Sequence, residues 1–296
     1  MEEKLFDIEV VSETMFLPLY CIALESRSKN PIIEDPKAVD ITEKLNKRFR
    51  TSKKKLFRKL ACGKLNKKLL VTISLRSRRF DEYIRAFLKT SPDGIIVNLG
   101  CGLSTHFERI DNGLLEWYDL DFPEVIDIRR LFFKESDRYH FISSSVLDFE
   151  WTDVLKNEKD RRFLFLAEGL FMYLHEADVK SLILKLHAEF PGSELVCEVA
   201  NEYIVRLMRG RFAKGKFRRQ FHVSEDIVYN FGIAKSDELE EWESGIEYLD
   251  EWTYFDEPEK KLGWFRLFRN IHIFRYAQWT IHYRLNTASQ RISNRQ

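Results

Sequence analysis

Cysteine is scarce in this sequence, and no two of the four cysteines are spaced as a recognisable pair. They lie at Cys21, Cys62, Cys101 and Cys197, with no Cys-x-x-Cys motif. This scatter excludes a disulfide framework and a cysteine-based zinc site, and it is typical of reduced thiols in the cytoplasm. The sequence also offers no convincing cluster of metal ligands, so we predict that no metal is required.

Long hydrophobic runs are absent as well. No apolar stretch approaches the roughly 20 residues that a helix needs to cross a bilayer. The N-terminus, Met1-Glu2-Glu3-Lys4, is acidic, and no hydrophobic signal segment follows it. We therefore expect a cytoplasmic protein with no membrane partner.

Neither sign of charge is in clear excess. The 296 residues hold 48 Lys and Arg against 47 Asp and Glu, a formal net charge of +1. No global field attracts nucleic acid, so we expect none as a partner. The length and the 44% of apolar residues suit one large α/β domain with additions, or two small domains.

A glycine turn between two apolar strands is the most informative feature that is present. The buried-strand pattern at 95–99 runs into Gly100-Cys101-Gly102, and a second strand ends on Asp119 and Asp121, 19 and 21 residues after Gly100. Glycines let the backbone approach a ligand, and an acid at this spacing takes the two ribose hydroxyls. The pattern predicts a cofactor that contains a nucleoside.

Two phosphate-binding signatures are missing from the chain. The third small residue of a dinucleotide fingerprint is absent, since Leu103, Ser104 and Thr105 follow the turn, and there is no Gly-x-x-x-x-Gly-Lys-Ser/Thr loop. A cofactor without phosphate is therefore favoured over one with a pyrophosphate. S-adenosylmethionine fits, because it offers a ribose, an adenine and a zwitterionic methionine end.

Strand and helix patterns alternate from Gly94 to about Ala200, which predicts a parallel sheet covered on both faces. The predicted strands are 95–99, 116–120, 140–144, 163–167 and 194–199, and the helix before the last strand covers 176–190. Segments 245–255 and 278–285 have strand-like composition and are expected to complete the sheet.

The flanking regions are less regular. Residues 1–90 are predicted to be mainly helical, and from Lys44 to Lys68 they contain 12 Lys or Arg and no acid. That stretch is either a patch for anionic surfaces or nucleic acid, or amphipathic helices with solvated basic faces, which we favour. A basic cluster from Arg206 to Arg219 could pair with the eleven acids between residues 237 and 259 in a cover over the sheet edge.

Longer motifs carry a resemblance to a known family. The most specific are Tyr118-Asp119-Leu120-Asp121-Phe122-Pro123 and Ala167-Glu168-Gly169-Leu170-Phe171-Met172-Tyr173-Leu174, and segments 25–27, 35–38, 75–79, 97–105 and 147–148 also match. Over roughly residues 10–200 the chain resembles the leucine carboxyl methyltransferase-like family, in the branch of tetracenomycin-type polyketide O-methyltransferases.

The resemblance implies the fold and its divisions. We expect a class I methyltransferase fold, a Rossmann-like α/β architecture with a seven-stranded, mostly parallel sheet that binds S-adenosylmethionine. Residues 1–90 would form a helical N-terminal cap over the cofactor site. Residues 91–296 would form the cofactor-binding domain, in which 201–245 are an insertion that covers the acceptor site.

The resemblance also assigns the cofactor-binding residues. Gly100 and Gly102 would bring the backbone to the methionine end, and Arg76 would pair with its carboxylate. Asp121 would bind the ribose, with Asp119 in reserve. The last two assignments are that Asp148 would accept from the adenine amino group, and that Glu168 would meet the ammonium or line the acceptor site. The alternative for Arg76 is a solvated helix charge, and for Asp148 a loop or capping acid.

The catalytic assignments depend on the acceptor. Methyl transfer from a sulfonium mainly requires that the acceptor be positioned and water excluded. A carboxylate acceptor is ionised at neutral pH and needs no base, whereas a hydroxyl acceptor would use one. The nearest candidate base is His106, and Tyr173 could face the acceptor, although both residues have a structural alternative. His140, His175 and His222 are weaker candidates.

Three functions follow as hypotheses. The first is an S-adenosylmethionine-dependent O-methyltransferase for a small, aromatic or polyketide-like acceptor, which the 24 Phe favour. The second is a carboxyl methyltransferase of a protein or peptide terminus. The third is a non-enzymatic module that binds through the stretch from Lys44 to Lys68, with strong salt dependence. Cys101 and Ser104, where the family commonly has Ala and Asp, keep open a version of the fold that binds without turnover.

Overall fold

A computed structural model of the chain describes residues 15–158, 161–209 and 229–286. In chain order its elements are α1 (Phe16–Ser26), α2 (Pro36–Phe49), α3 (Lys55–Ala61), α4 (Lys67–Thr90), β1 (Ile95–Leu99), α5 (His106–Ile110), β2 (Glu116–Asp121), α6 (Pro123–Arg129), β3 (Tyr139–Ser143), β4 (Phe163–Ala167), α7 (Glu176–Glu189), β5 (Ser193–Ala200), α8 (Glu202–Arg209), β6 (Ile246–Trp252), α9 (His272–Arg275) and β7 (Gln278–Leu285). Short 3₁₀ helices cover Phe149–Glu158, Phe171–Tyr173, Glu238–Glu241 and Lys260–Asn270.

The seven strands in the described residues form one sheet, in the order β3-β2-β1-β4-β5-β7-β6. Strands β1 to β5 run parallel to one another, and β7 is antiparallel to both β5 and β6. The predicted seven-stranded, mostly parallel α/β sheet is confirmed. Strand β2 runs one residue further than predicted, because Asp121 still pairs with Ser143 of β3.

The central strands are buried on both faces, as their continuous apolar sequences predict. Ile96 and Leu164 pack on one face with α1, α2 and α4. Val97 and Phe165 pack on the other face, against α7 and the antiparallel strand pair. Such a sheet leaves only its edges open, and the ligands of parallel sheets bind at the carboxyl edge.

The N-terminal helices share their core with the sheet. Helix α2 begins at Pro36 after Asp35, whose carboxylate accepts the backbone N–H of Ala38 at 2.8 Å. The basic stretch from residue 44 to 68 spans the end of α2, all of α3 and the start of α4, and its apolar residues Leu45 and Phe57 are fully buried. This arrangement matches the favoured interpretation of amphipathic helices. Residues 1–4, on which the leader-sequence prediction depends, lie outside the described residues.

The segment that follows β5 returns to the carboxyl edge of the sheet. Arg206 of α8 pairs with Glu202, and Arg209 donates to the backbone carbonyls of Tyr229 and Asn230. The remaining cations of the predicted basic cluster, from Arg211 to Arg219, lie outside the described residues, as does His222. The predicted pairing of that cluster with the acids of 237–259 therefore stays a prediction. Within the described ranges, no helix combines the length and the apolar character needed to cross a membrane.

Candidate active site at the carboxyl edge of the sheet

The glycine turn and the acid after β2 form one rigid unit. Gly100 and Gly102 have φ of 64° and 50°, in the left-handed region that favours glycine. A Cβ on Gly100 would lie 2.9 Å from Cδ1 of Leu170. Asp121, at the end of β2, accepts the backbone N–H of Gly102 at 2.8 Å and that of Phe122 at 2.8 Å. Its carboxylate is thereby fixed at the turn, and burial raises its pKa despite these hydrogen bonds.

Asp119, the reserve candidate for the ribose, lies in a different environment. Its side chain is fully buried beneath the sheet edge. It accepts hydrogen bonds from Asn98 (2.9 Å), Trp117 (2.9 Å) and Tyr139 (2.7 Å), and it forms an ion pair with buried Arg129. These partners occupy the carboxylate within the protein. Of the two acids, only Asp121 remains accessible to a ligand.

Asp148 lies in the loop that follows β3. Its backbone N–H donates to the carbonyl of Ser145 at 3.0 Å, while its exposed carboxylate forms no hydrogen bond within the described part of the chain. The flanking Leu147 and Phe149 are half-buried and pack against the core of the sheet. The loop therefore presents an acid between two apolar side chains, which is the arrangement predicted for an adenine pocket.

A buried chain of ionic hydrogen bonds connects α4, the glycine turn and strands β4 and β5. Arg76 of α4 donates through Nε to Glu168 at 2.7 Å and through Nη1 to Glu198 of β5 at 2.8 Å. His106, immediately after the turn, contacts Glu168 through Nε2 at 2.8 Å and Asp81 of α4 through Nδ1 at 2.6 Å. Three predicted site residues, Arg76, His106 and Glu168, are thus brought into direct contact.

The charged groups in this chain of hydrogen bonds determine the protonation states of His106 and Glu168 at neutral pH. Burial opposes ionisation of His106, but the carboxylates of Asp81 and Glu168 outweigh it and raise the pKa of His106 to about 9. Burial likewise opposes ionisation of Glu168, but Arg76 and His106 lower its pKa to about 2. His106 is therefore an imidazolium with both nitrogens hydrogen-bonded at neutral pH, and it has no free lone pair with which to accept a proton.

We expect stability to fall at alkaline pH because of His106. Its folded-state pKa of about 9 lies above the ordinary 6.5, so its stabilisation is complete below pH 6.5 and is lost as the pH rises through 9. That shift corresponds to about 3 kcal/mol in the free energy of unfolding. Urea unfolding of the native protein should show this decrease, whereas His106→Gln should be less stable at pH 6 and nearly flat across the window. A flat profile for the native protein would contradict a buried imidazolium.

Three tyrosines surround the end of the ionic chain. The hydroxyl of Tyr254 donates to Glu198 at 3.1 Å. The rings of Tyr173 and Tyr229 meet edge to face, with centroids 5.5 Å apart, and Asn230 donates to the Tyr173 carbonyl at 3.1 Å. Tyr173, the other predicted catalytic residue, is 41% exposed. The carboxyl edge thus carries an aromatic wall beside buried charges.

Several residues of this site were not predicted from the sequence. They are Asp81, Glu198, Tyr229 and Tyr254. Glu198 carried a usable signal, because it is a single acid within the apolar strand 195–199, and a buried strand tolerates an acid only when that acid is paired. Asp81 and the tyrosines carried no comparable signal. In the described ranges no group of three or more His, Cys, Asp or Glu is arranged to hold a metal ion.

Comparison with known proteins agrees with this architecture. The family model of leucine carboxyl methyltransferase matches residues 19–187. The tetracenomycin polyketide synthesis O-methyltransferase TcmP of Streptomyces glaucescens is 27% identical over 252 residues, 84% of each chain. The S-adenosyl-L-methionine-dependent methyltransferase dpfgK of Gibberella zeae is 26% identical over 63% of this chain and 64% of its own.

A solved structure shares the fold at low sequence identity. The duf574 family protein from Streptomyces avermitilis superposes with a TM-score of 0.57 at 12% identity, over 92% of this chain and 97% of its own. The match at residues 19–187 spans α1 to α7 and thus includes the glycine turn, Asp121 and Glu168. The chain therefore belongs to the leucine carboxyl methyltransferase family, and it is a methyltransferase that uses S-adenosylmethionine on a class I fold.

Proposed function

We propose that the protein transfers the methyl group of S-adenosylmethionine to an oxygen atom of a small aromatic, polyketide-like acceptor. The observation that carries the proposal is the wall of Tyr173, Tyr229 and Tyr254 beside the buried chain of Arg76, Glu168 and Glu198. Aromatic walls favour flat apolar ligands, and a few buried polar groups orient them. The 27% identity to a protein named for tetracenomycin polyketide synthesis supports the same acceptor class.

The cofactor-binding residues fit the proposal by their open hydrogen-bonding capacity. Asp121 would take the ribose hydroxyls, since each carboxylate oxygen accepts one backbone N–H and has a further lone pair. Asp148 would accept from the adenine amino group. Gly100 and Gly102 would admit the methionine end, where Glu168 meets the ammonium. Arg76 keeps N–H donors on Nη2 for the carboxylate, because its ion pairs use Nε and Nη1.

The chain's own residues then position the acceptor and manage its proton. The bound cofactor supplies an electrophilic methyl group. Tyr173 would contact the acceptor, and Glu198 would receive the proton of an acceptor hydroxyl, directly or through Tyr254, because burial raises its pKa despite Arg76. Charged His106 would act by holding Glu168 in place and not as the base. The cap of residues 1–90 and the insertion of 201–245 would exclude water.

A second candidate is carboxyl methylation of a peptide or protein terminus. The family description itself favours it. Arginine is well suited to binding a carboxylate in the bidentate manner, and Arg76 lies at the site. The two candidates differ in chemistry, because a carboxylate acceptor needs no proton acceptor, whereas a phenol does.

The test is a methyl-transfer assay with radiolabelled S-adenosylmethionine and matched acceptors. The panel holds polycyclic phenols, the corresponding aromatic carboxylic acids, and peptides with a free C-terminal leucine. We expect labelled product from the phenols that withstands mild alkali, because a methyl ether is stable where a methyl ester releases methanol. Alkali-labile product from the peptides would support the second candidate, and alkali-labile product from the aromatic acids would leave a small acceptor but replace the hydroxyl by a carboxylate.

The variant Glu198→Gln tests the proton acceptor in the same assay. With a phenol we expect kcat to fall by about a hundredfold, the lower end of general-base contributions. With a carboxylate acceptor kcat should hardly change. Glu194→Gln is the matched control. Glu194 also lies on β5, but near the opposite end of that strand, where it pairs with Arg162 and His282. An equal loss with both acceptors would give Glu198 a purely structural role.

A further inference from the structure

A row of large apolar side chains is exposed in the segment between β6 and β7. Trp264 is 61% exposed, Leu267 79%, and Ile271 and Phe274 44% each. Phe268 connects them, with its ring centroid 5.5 Å from Trp264 and 4.9 Å from Phe274. We name these four exposed side chains the aromatic ridge. Contiguous apolar surface of this kind on a protein usually marks a docking site.

The fold does not require the ridge to be apolar. Leu262, at the start of the segment, already anchors it in a small core with Val71 and Leu75 of α4 and with Trp252. The four ridge residues do not belong to that core, and they are exposed. Packing against the described residues therefore does not account for their apolar character.

The surroundings of the ridge are basic. From Lys260 to Arg275 the chain holds five Lys or Arg and no acid. The segment packs against the start of α4, where Lys68 places its Nζ 3.5 Å from the Trp264 ring centroid. Lys68 ends the stretch of 12 cations that begins at Lys44, so the structure joins two acid-free basic segments that are about 190 residues apart in sequence.

The acids that face this region are largely neutralised by pairing. Glu25 binds Lys261, Asp256 binds Arg275, and Glu257 binds Arg78. Arg266 and Arg269 line a small cavity together with Asp256 and Glu257. Exposed Lys260 and Lys67 form no ion pair in the part of the chain that the structure describes. Glu259 borders the segment and accepts the backbone N–H of Lys261 at 2.8 Å. Against this one further acid, a net positive rim remains around the ridge, formed by Lys67, Lys68, Lys260, Arg266 and Arg269.

We propose that the aromatic ridge and its basic rim dock the protein on the surface of an anionic lipid bilayer. Exposed Trp and Phe insert at the level of the headgroups, and Lys and Arg beside them attract anionic lipids. No membrane partner was predicted from the sequence, because the chain has neither a membrane-spanning apolar stretch nor a hydrophobic signal segment. The contact between Lys68 and Trp264 forms only in the folded chain. The segment begins and ends at the carboxyl edge of the sheet, so docking would bring the active-site edge close to the membrane.

Flotation with lipid vesicles tests the proposal. The full chain is mixed with vesicles of phosphatidylcholine alone, or with an equal share of phosphatidylglycerol. We expect flotation with the anionic vesicles only, and less of it as salt is raised. Leu267→Glu should weaken binding about tenfold, because it removes one inserted leucine and adds a negative charge.

The control is Leu114→Glu. Leu114 is 60% exposed in the loop before β2, at the opposite edge of the sheet. The Leu114→Glu variant should float with anionic vesicles like the native protein, and both variants should keep the native melting temperature and S-adenosylhomocysteine binding. Equal loss in both variants, or no flotation of the native protein at low salt, would overturn the proposal. The proposal would also be overturned if the native protein bound no vesicles but formed a dimer in lipid-free solution that dissociates in Leu267→Glu, because the ridge would then face a second copy.

Discussion

Replacing Asp119 with alanine is expected to lower the free energy of unfolding by about 3–5 kcal/mol, the usual cost of leaving a buried charge unpaired. Asp119 and Arg129 are both fully buried and form an ion pair. Without the carboxylate, the guanidinium stays in the protein interior, and Asn98, Trp117 and Tyr139 also lose their acceptor. Urea unfolding followed by circular dichroism measures the change.

Two further variants separate this explanation from general fragility. Asp127→Ala changes an exposed residue of α6 whose pair within the described residues is a surface contact with Arg130, and it should change stability by less than about 0.5 kcal/mol. Adding Arg129→Met to Asp119→Ala should restore part of the loss, because an apolar side chain then replaces the orphaned charge. A loss below about 1 kcal/mol in Asp119→Ala, which is the ordinary effect of a single substitution, would contradict the buried network.

Local sequence signals were sufficient to predict the sheet, and at its carboxyl edge the glycine turn and the acid that ends β2. The continuous apolar runs of β1 and β4, and the glycines at 100 and 102, act through neighbouring residues, and the structure has them where the sequence predicts. The spacing between Gly100 and Asp121 also follows from local structure, because one strand, one turn and one short helix fit between them.

The ionic chain could not be predicted in the same way. Arg76 meets Glu168 and Glu198 across 92 and 122 residues of sequence, and His106 meets Asp81 across 25. Which acid faces which base depends on how α4 lies across the sheet, and no short-range pattern records that. The resemblance to a family assigned Arg76 and Glu168 separately, but it gave no indication that His106 connects Glu168 to Asp81.

The same limit explains the choice between the two acids of β2. Residues two apart on a strand point to the same side, so sequence alone makes Asp119 a reasonable substitute for Asp121. Burial separates them. Asp119 lies two residues before the end of β2, opposite Phe141 of β3. Asp121 is the last paired residue of β2, opposite Ser143. A ligand at the carboxyl edge reaches only the second.

Asp121→Ala is therefore expected to weaken S-adenosylhomocysteine binding by at least about a hundredfold while the protein stays folded. Each hydrogen bond from a ribose hydroxyl to the carboxylate contributes about 1.5–3 kcal/mol, so losing two of them removes at least about 3 kcal/mol. Among the described residues Asp121 pairs with no buried cation, and its hydrogen-bond partners are the backbone N–H groups of Gly102 and Phe122. Calorimetric titration of the native protein and the variant measures the difference.

Asp127→Ala serves again as the matched control, because it removes a carboxylate six residues further along without touching the turn. Its affinity should equal that of the native protein. If Asp121→Ala binds S-adenosylhomocysteine as well as the native protein does, the ribose lies elsewhere on the edge. If instead Asp121→Ala loses stability as severely as Asp119→Ala, the acid belongs to the framework of the turn. Loss of affinity with stability retained is the result that distinguishes a ligand-binding acid from a structural one, and the two acids of β2 provide that comparison within one strand.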